Sequence, residues 1–306
     1  MAKLTFDPGL TTQYTGLLRR AINRDGSFNV ARRGTRWSDI HPYLHLISMP
    51  WPAFLAVVFV TYLAVNTVFA VLYFALGPGH LQGGDAPDKL HRFLNAFFFS
   101  AHTLTTVGYG NIAPNALSSN ILAVVEALIG LLGFALATGI LFGRFSRPSA
   151  RIAFSDQALI APYEERSSLQ LRIVNRRPNA LMEMEATVIL MTVEGEPGKQ
   201  KRAFRGLSLE RDRIDFLALT WTIVHPIDES SPLFGKTDED LTRAQAEVLI
   251  LIKGFDETFA QSVHSRYSYR FDEITWNAKF TPAFEFDEGG NMVLNIDKVG
   301  NHAPVV

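Results

Sequence analysis

The chain has 306 residues, enough for two domains, and its charged fraction of 19% is below the roughly 25% usual in soluble domains. It has no cysteine, which excludes disulfides, thiol catalysis and cysteine-ligated metals. The net charge of −1 says little, because charge is unevenly spread along the chain, and no nucleic-acid partner is expected.

The first ten residues, MAKLTFDPGL, lack the basic-then-apolar order of a cleaved signal peptide, so the first membrane segment is expected to insert uncleaved. Residues 37–48 place Trp37, Ile40, Tyr43, Leu44 and Ile47 among polar neighbours. They are expected to form a short helix on the inner membrane surface with Pro42 in its first turn, a plain loop being the alternative. Trp51–Leu76 is apolar and uncharged, and at 1.5 Å per residue it reaches across a hydrocarbon layer of about 30 Å. Residues 77–92, rich in Gly, Pro and Asp, read as an exposed loop. A short apolar segment, 93–104, then precedes a second long apolar stretch, 117–142, whose one charged residue is Glu126. Arg32, Arg33 and Arg36 precede the first span, and Arg144, Arg147 and Arg151 follow the second. Both flanks are therefore expected on the cytoplasmic side.

Between the spans lies Thr105-Thr106-Val107-Gly108-Tyr109-Gly110. Thr-Val-Gly-Tyr-Gly is the sequence of the potassium selectivity filter. Glycine reaches backbone angles closed to other residues, and its alternation with larger residues lets successive carbonyls face one way. Such oxygens are neutral and polarised, so they can replace the water around K⁺ without trapping it. Thr106, Val107, Gly108, Tyr109 and Gly110 are the expected K⁺ ligands through their carbonyls, with the Thr106 hydroxyl as a further ligand at the inner end. One chain supplies one wall, so a homotetramer is expected, with no cofactor besides K⁺.

After Pro148 the composition changes. Residues 169–174, 185–190, 216–224, 247–252 and 266–271 alternate or run apolar like strands, which suggests a β-sandwich. Residues 237–246 read as one helix, with Thr237 as N-cap and Asp240 three residues on.

Taken together, these segments resemble an inward-rectifier potassium channel, most closely the prokaryotic branch. Asp25-Gly26-Ser27-Phe28-Asn29-Val30 is similar to the family's Asp-Gly-x-x-Asn-Val signature, and Arg144-Phe145-Ser146-Arg147-Pro148 to its basic exit from the inner helix. Residues 221–233, ending Ile227-Asp228-Glu229-Ser230-Ser231-Pro232-Leu233, and residues 254–276 are similar to stretches of its cytoplasmic domain. The resemblance covers roughly residues 23–285 and rests on several signatures beyond the filter. It implies two transmembrane helices and a pore helix in a tetrameric pore, a C-terminal all-β immunoglobulin-like cytoplasmic domain, control by membrane phosphoinositides, and a cell membrane, expected to be a bacterial inner membrane. The expected division is a cytoplasmic segment 1–36, an interfacial helix 37–48, a pore domain 49–147 and a cytoplasmic β-sandwich 148–306.

The resemblance also assigns residues. It turns the i, i+4 row Gly130, Phe134, Thr138 and Phe142 toward the pore, with Gly130 as a candidate bend and Phe142 as a candidate closing ring; Phe142 packed between helices is the alternative. Gly130, Gly133, Gly139 and Gly143 also fit close helix packing. Glu126 is ionisable within the membrane, and His102 is its expected partner in bracing the filter from behind; a water-bonded Glu126 without a role is the alternative. Gly254, Ala260 and His264 belong to the loop expected to constrict the cytoplasmic pore. Arg144, Arg147 and Arg151 are candidate contacts for anionic headgroups, or set topology alone. Strong rectifiers carry acidic residues where this chain has Phe134 and Lys253, so internal Mg²⁺ and polyamines lose anionic anchors and weak rectification is expected. Ba²⁺, Mg²⁺ and polyamines remain possible blockers. His225, Asp228 and Ser230 lie too close in sequence for a catalytic triad and read as a turn, and no enzymatic activity is expected. The competing functions are a poorly selective cation pore and a membrane-tethered β-sandwich sensor with little conductance.

Overall fold

The computed structural model describes residues 9–14, 16, 20–31, 33, 34, 41–146 and 150–305. Arg32, Arg36, Trp37, Ile40, Arg147 and Pro148 lie outside them. Residues 33–147 form one compact unit, and residues 1–32 with 148–306 form another. The segment expected to stand apart as 1–36 therefore groups largely with the β unit.

In the first unit, α1 spans Pro42–Ser48, α2 Trp51–Leu76, α3 Lys89–Leu104 and α4 Leu117–Phe145. Pro42 opens α1, where a missing amide hydrogen costs nothing. The 26 residues of α2 and 29 of α4 give about 39 Å and about 44 Å of helix, and an 18-residue stretch of each has a mean hydropathy of 2.3. The loop between α2 and α3 is more ordered than its composition suggests. Leu81–Gln82 (β1) pairs antiparallel with Ala113–Pro114 (β2), and Leu81 is buried. Asp88 caps α3, its Oδ1 accepting from the His91 amide at 2.7 Å, and so starts the helix four residues before the expected segment.

The second unit is a β-sandwich. Its strands are β3 (Ile152–Phe154), β4 (Ala158–Tyr163), β5 (Arg166–Asn175), β6 (Leu181–Glu194), β7 (Lys201–Leu207), β8 (Arg213–Phe216), β9 (Thr220–Ile227), β10 (Glu247–Asp256), β11 (Gln261–Arg270) and β12 (Ile274–Trp276). Short strands β13 (Ala278–Phe280), β14 (Phe284–Phe286), β15 (Met292–Leu294) and β16 (His302–Pro304) follow. One sheet runs β11-β10-β6-β7, with β8 also on β6; the other runs β12-β4-β5-β3, with β9 also on β5. Side chains two apart along a strand share a face. Leu169, Leu171 and Ile173 of β5 meet Met184, Ala186, Val188 and Leu190 of β6 and Val248, Ile250 and Ile252 of β10 in one core.

Four of the five expected strands are present, and the fifth needs correction. Residues 216–224 are not continuous: the Leu217 amide still donates to Leu181 O at 3.0 Å, with its side chain buried, and a bend at Ala218 and Leu219 then separates β8 from β9. The helix expected over 237–246 is the shorter α5, Asp238–Arg243. Thr237 and Asp240 do form its capping box, but Gln245 takes φ +45°, which ends the helix early.

The outer faces of β6 and β10 are buried too. Ile189, Met191 and Leu249 cluster with Ile22, which the N-terminal segment supplies. That segment folds back on itself at Asp25-Gly26. Asn23 N donates to Ser27 O at 2.8 Å, Asp25 Oδ1 accepts from Ser27, and Gly26 has φ +80°. A Cβ on Gly26 would meet Arg266 O at 3.0 Å, so this turn needs both the angle and the space of glycine. The strap is held by polar contacts as well. Both oxygens of buried Glu247 accept from the Ala21 amide, Ser268 Oγ donates to Ile22 O, and Arg20 and Arg24 pair with Glu273.

The suspected trio is a turn. Asp228 Oδ1 accepts from the amide and hydroxyl of Ser230, while His225 touches Ser231 instead, with Nε2 at 2.7 Å from its Oγ. His225 Nδ1 faces Ser208 O at 2.6 Å, so Nδ1 carries the proton and Nε2 accepts from Ser231. Burial pushes this imidazole below its usual value of 6.5, against opposing pulls from Ser208 O and Asp228. The unfolded chain therefore binds the proton first as pH falls. The stability this residue contributes is complete above about pH 6.5 and is lost as pH drops toward the lower folded value. The fall in melting temperature between about pH 7.5 and about pH 5.5 is expected to be smaller in His225→Gln than in the parent; equal falls by calorimetry would count against this.

Candidate functional site

The last turn of α3 directs the segment after it. Thr105 N donates to Ala101 O at 3.2 Å, and His102 O then takes two further amides, Val107 N at 2.9 Å and Gly108 N at 3.3 Å. A trans peptide points its C=O opposite to its N–H. The Thr106 and Val107 carbonyls must therefore both face away from α3, on one side of the strand. Positive φ at Thr106 (+59°), Gly108 (+56°) and Gly110 (+80°), but not at Val107 or Tyr109, is the alternation that keeps successive carbonyls aligned. For threonine, a β-branched residue, this angle is an outlier, held here by the hydrogen bonds on either side. Val107 and Tyr109 are 52% and 75% exposed within the single chain, so this segment is left largely uncovered by the rest of its own chain.

Behind the wall the expected pair is not formed. Glu126 is fully buried, but its partners are Tyr73 and Ser100: Tyr73 OH donates to Oε2 at 2.7 Å, and Ser100 Oγ contacts Oε1. Ser100 also reaches Asn66 Oδ1 at 3.1 Å, and Asn66 Nδ2 donates to Tyr62 O at 2.7 Å. This buried chain ties α2, α3 and α4 together. His102 turns elsewhere, its ring edge-on to Tyr109 with centroids 4.9 Å apart. The reason is geometric. Ser100 and His102 are two residues apart on one helix and so face different ways, and Ser100 is the one turned to α4. Tyr73, Ser100 and Asn66 had no sequence signal beyond being polar groups in apolar stretches.

On α4, Phe134, Thr138 and Phe142 are exposed at four-residue spacing. The helix is unbroken through Gly130, which acts here as a contact point. A Cβ on Gly130 would lie 2.2 Å from Leu104 O, so its bare backbone lets α4 press against the end of α3. Gly133 and Gly139 have nothing within 4 Å in the chain. Arg144 differs from the free headgroup ligand expected. Its guanidinium donates to Leu46 O and to Met49 O, and lies 4.6 Å from the Trp51 ring centroid and 4.5 Å from that of Phe54. Arg151, in the β unit, is exposed.

In the β unit, residues 254–265 form the end of the β10–β11 hairpin, not an open loop. Ala260 takes φ +49° at its turn, and Gly254 sits at a register shift, where a Cβ would lie 2.3 Å from Met184 Sδ. Lys253 and His264 are exposed and face each other across the strands. Buried Asp256 stiffens the tip, accepting from Thr258 N at 3.0 Å and from Asn179 Nδ2 at 2.9 Å. Among the described residues no His, Asp or Glu cluster could hold a metal ion.

A family model described as the inward rectifier potassium channel C-terminal domain matches residues 152–305, and one described as ion channel matches 57–147. The inward rectifier potassium channel Kirbac3.1 of Paramagnetospirillum magnetotacticum is 37% identical over 283 residues, covering 91% of this chain and 94% of that one. Inward rectifier potassium channel 18 of Homo sapiens is 29% identical, covering 88% of this chain and 67% of its own length. Inward rectifier potassium channel 4 of Rattus norvegicus is 33% identical over 72% of this chain, which spans about half (53%) of that relative. The two family models cover the helical unit and the β-sandwich in order, and the chain belongs to the inward-rectifier potassium channel family.

Proposed function

We propose that four copies of this chain surround an axis and conduct K⁺ passively and selectively across a cell membrane, with both termini cytoplasmic. The observation that carries this reading is the pair of filter amides taken by His102 O, because it turns the intervening carbonyls outward from α3 as a row of neutral oxygens. Four such rows around an axis can replace the hydration shell of K⁺. The C-terminal end of α3 carries partial negative charge and would favour a cation in the space below. Phe142, exposed near the end of α4, would close the path as a ring of four apolar side chains that exclude water. The stiffened β10–β11 tip, with Gly254, Ala260 and His264, is a second constriction in this reading.

Anionic lipids are the proposed modulators. With Arg144 engaged by backbone carbonyls, Arg147 and Arg151, which follow the inner helix in sequence, are the proposed headgroup contacts, at about 1 kcal/mol per charge near the surface. Weak rectification follows from exposed Phe134 and Lys253, which offer internal cations no carboxylate. The Glu126 chain supports the filter from behind by fixing the helix that presents it.

In liposomes, ⁸⁶Rb⁺ uptake is expected to be blocked by Ba²⁺, to change on adding phosphoinositide, and to persist in the presence of micromolar spermine. No Ba²⁺-sensitive flux would leave a tethered sensor as the better reading, and equal passage of Na⁺ would leave an unselective pore. Glu126→Ala is expected to destabilise the assembly by about 1–3 kcal/mol for each buried hydroxyl it strands, with Glu126→Gln much milder; melting of both variants would show an inert Glu126 if they matched the parent. Gly130→Ala forces a methyl against the Leu104 carbonyl, at a cost of about 1–3 kcal/mol. It is expected to lower K⁺ over Na⁺ selectivity in reversal-potential measurements, and an unchanged ratio would refute the contact's role.

A further inference from the structure

The surface helix α1 is only seven residues long and buries none of its residues. A helix this short does not hold itself together in water, so its position comes from what it touches. Two successive residues of α4 provide the contact. At Gly143 a Cβ would lie 2.5 Å from the Tyr43 hydroxyl oxygen, 3.4 Å from its Cζ and 3.7 Å from Ile47 Cγ2, so bare backbone there seats the Tyr43–Ile47 face of α1. One residue on, the Arg144 guanidinium donates to Leu46 O and Met49 O, satisfying carbonyls at the end of α1 that lack helical partners. The same group lies over Trp51 and Phe54, where α2 begins.

We propose that Gly143 and Arg144 form a clamp that joins α1 and the start of α2 to the final turn of α4, with Arg144 as a positioning residue in place of a headgroup ligand. The guanidinium suits this task because its planar fork reaches two carbonyls while its faces lie on aromatic rings; an ammonium is a point charge and reproduces neither. Phe142 immediately precedes the clamp. Given the proposed reading of Phe142 as a closing ring, any shift of α1 along the membrane surface is carried straight to that ring.

Clamp and headgroup ligand are separable because one depends on shape and the other on charge. The chain has no cysteine, so Leu44→Cys, at an exposed position of α1, takes a single nitroxide label. In nanodiscs of phosphatidylcholine alone, the label is expected to be immobilised in the parent and mobile in Gly143→Ala and in Arg144→Lys, both of which keep the charge. Tyr43→Phe removes only the atom that the new methyl meets. The pair Gly143→Ala with Tyr43→Phe should therefore return to the parent spectrum, a rescue that a simple change in helix flexibility would not give. Flux of ⁸⁶Rb⁺ in the same neutral lipid should change several-fold in the two charge-preserving variants and recover in the pair. Parent-like label mobility in Arg144→Lys, with Arg144→Gln altering flux only when anionic lipid is present, would overturn the clamp and make Arg144 a headgroup ligand. Parent-like mobility in Gly143→Ala would overturn it equally. A parent protein without flux would instead remove the reading of Phe142, and the label would still decide whether α1 is clamped.

Discussion

The carbonyl of His102 accepts two amides from the strand that follows its own helix. Peptide planarity turns this local fact into a directional one, because amides held toward α3 force the matching carbonyls away from it. Much of the pore unit can be read as support for that carbonyl. Asp88 fixes the start of α3, Glu126, itself held by Tyr73, takes Ser100 two residues before His102, and Gly130 lets α4 lie against Leu104 two residues after it. The strained angle at Thr106 persists because the structure on both sides fixes it.

The sequence was most informative where one residue type answers to one physical demand. Glycine at Gly108 and Gly110 and the two long apolar runs required no tertiary knowledge, whereas the need of the Asp25-Gly26 turn for the angle and space of glycine shows only in the fold. It was least informative where the choice lay among neighbours on a helix. His102 was the expected partner of Glu126, but Ser100 holds it, and only the rotation of α3 against α4 separates the two. Arg144 looked like its companion arginines because a basic residue at a membrane exit is explained equally well by lipid, by topology or by backbone carbonyls. The break within 216–224 is silent for a related reason: Ala218 and Leu219, where the chain bends, are as apolar as the strand residues around them.

The two apolar strand runs carried a further clue. Val188–Val193 on β6 and Val248–Ile250 on β10 are buried without alternation, which is the pattern of strands covered on both faces. The inner cover is the opposite sheet. The outer cover is the strap carrying Ile22, drawn from a part of the chain whose own sequence gives no hint of where it docks.

That strap joins residues far apart in the order of synthesis: Ala21 and Glu247 are 226 positions apart, and Arg20 and Glu273 are 253. The entire pore unit lies between them, as an insertion within the β unit. A ribosome delivers the strap first and its docking site last, with both hydrophobic spans already committed to the bilayer in the interval. The β unit is therefore completed late, by a closure that must draw one end of the chain back to the other. Until that closure the outer faces of β6 and β10 are without their lid, an apolar surface open to chaperones and proteases.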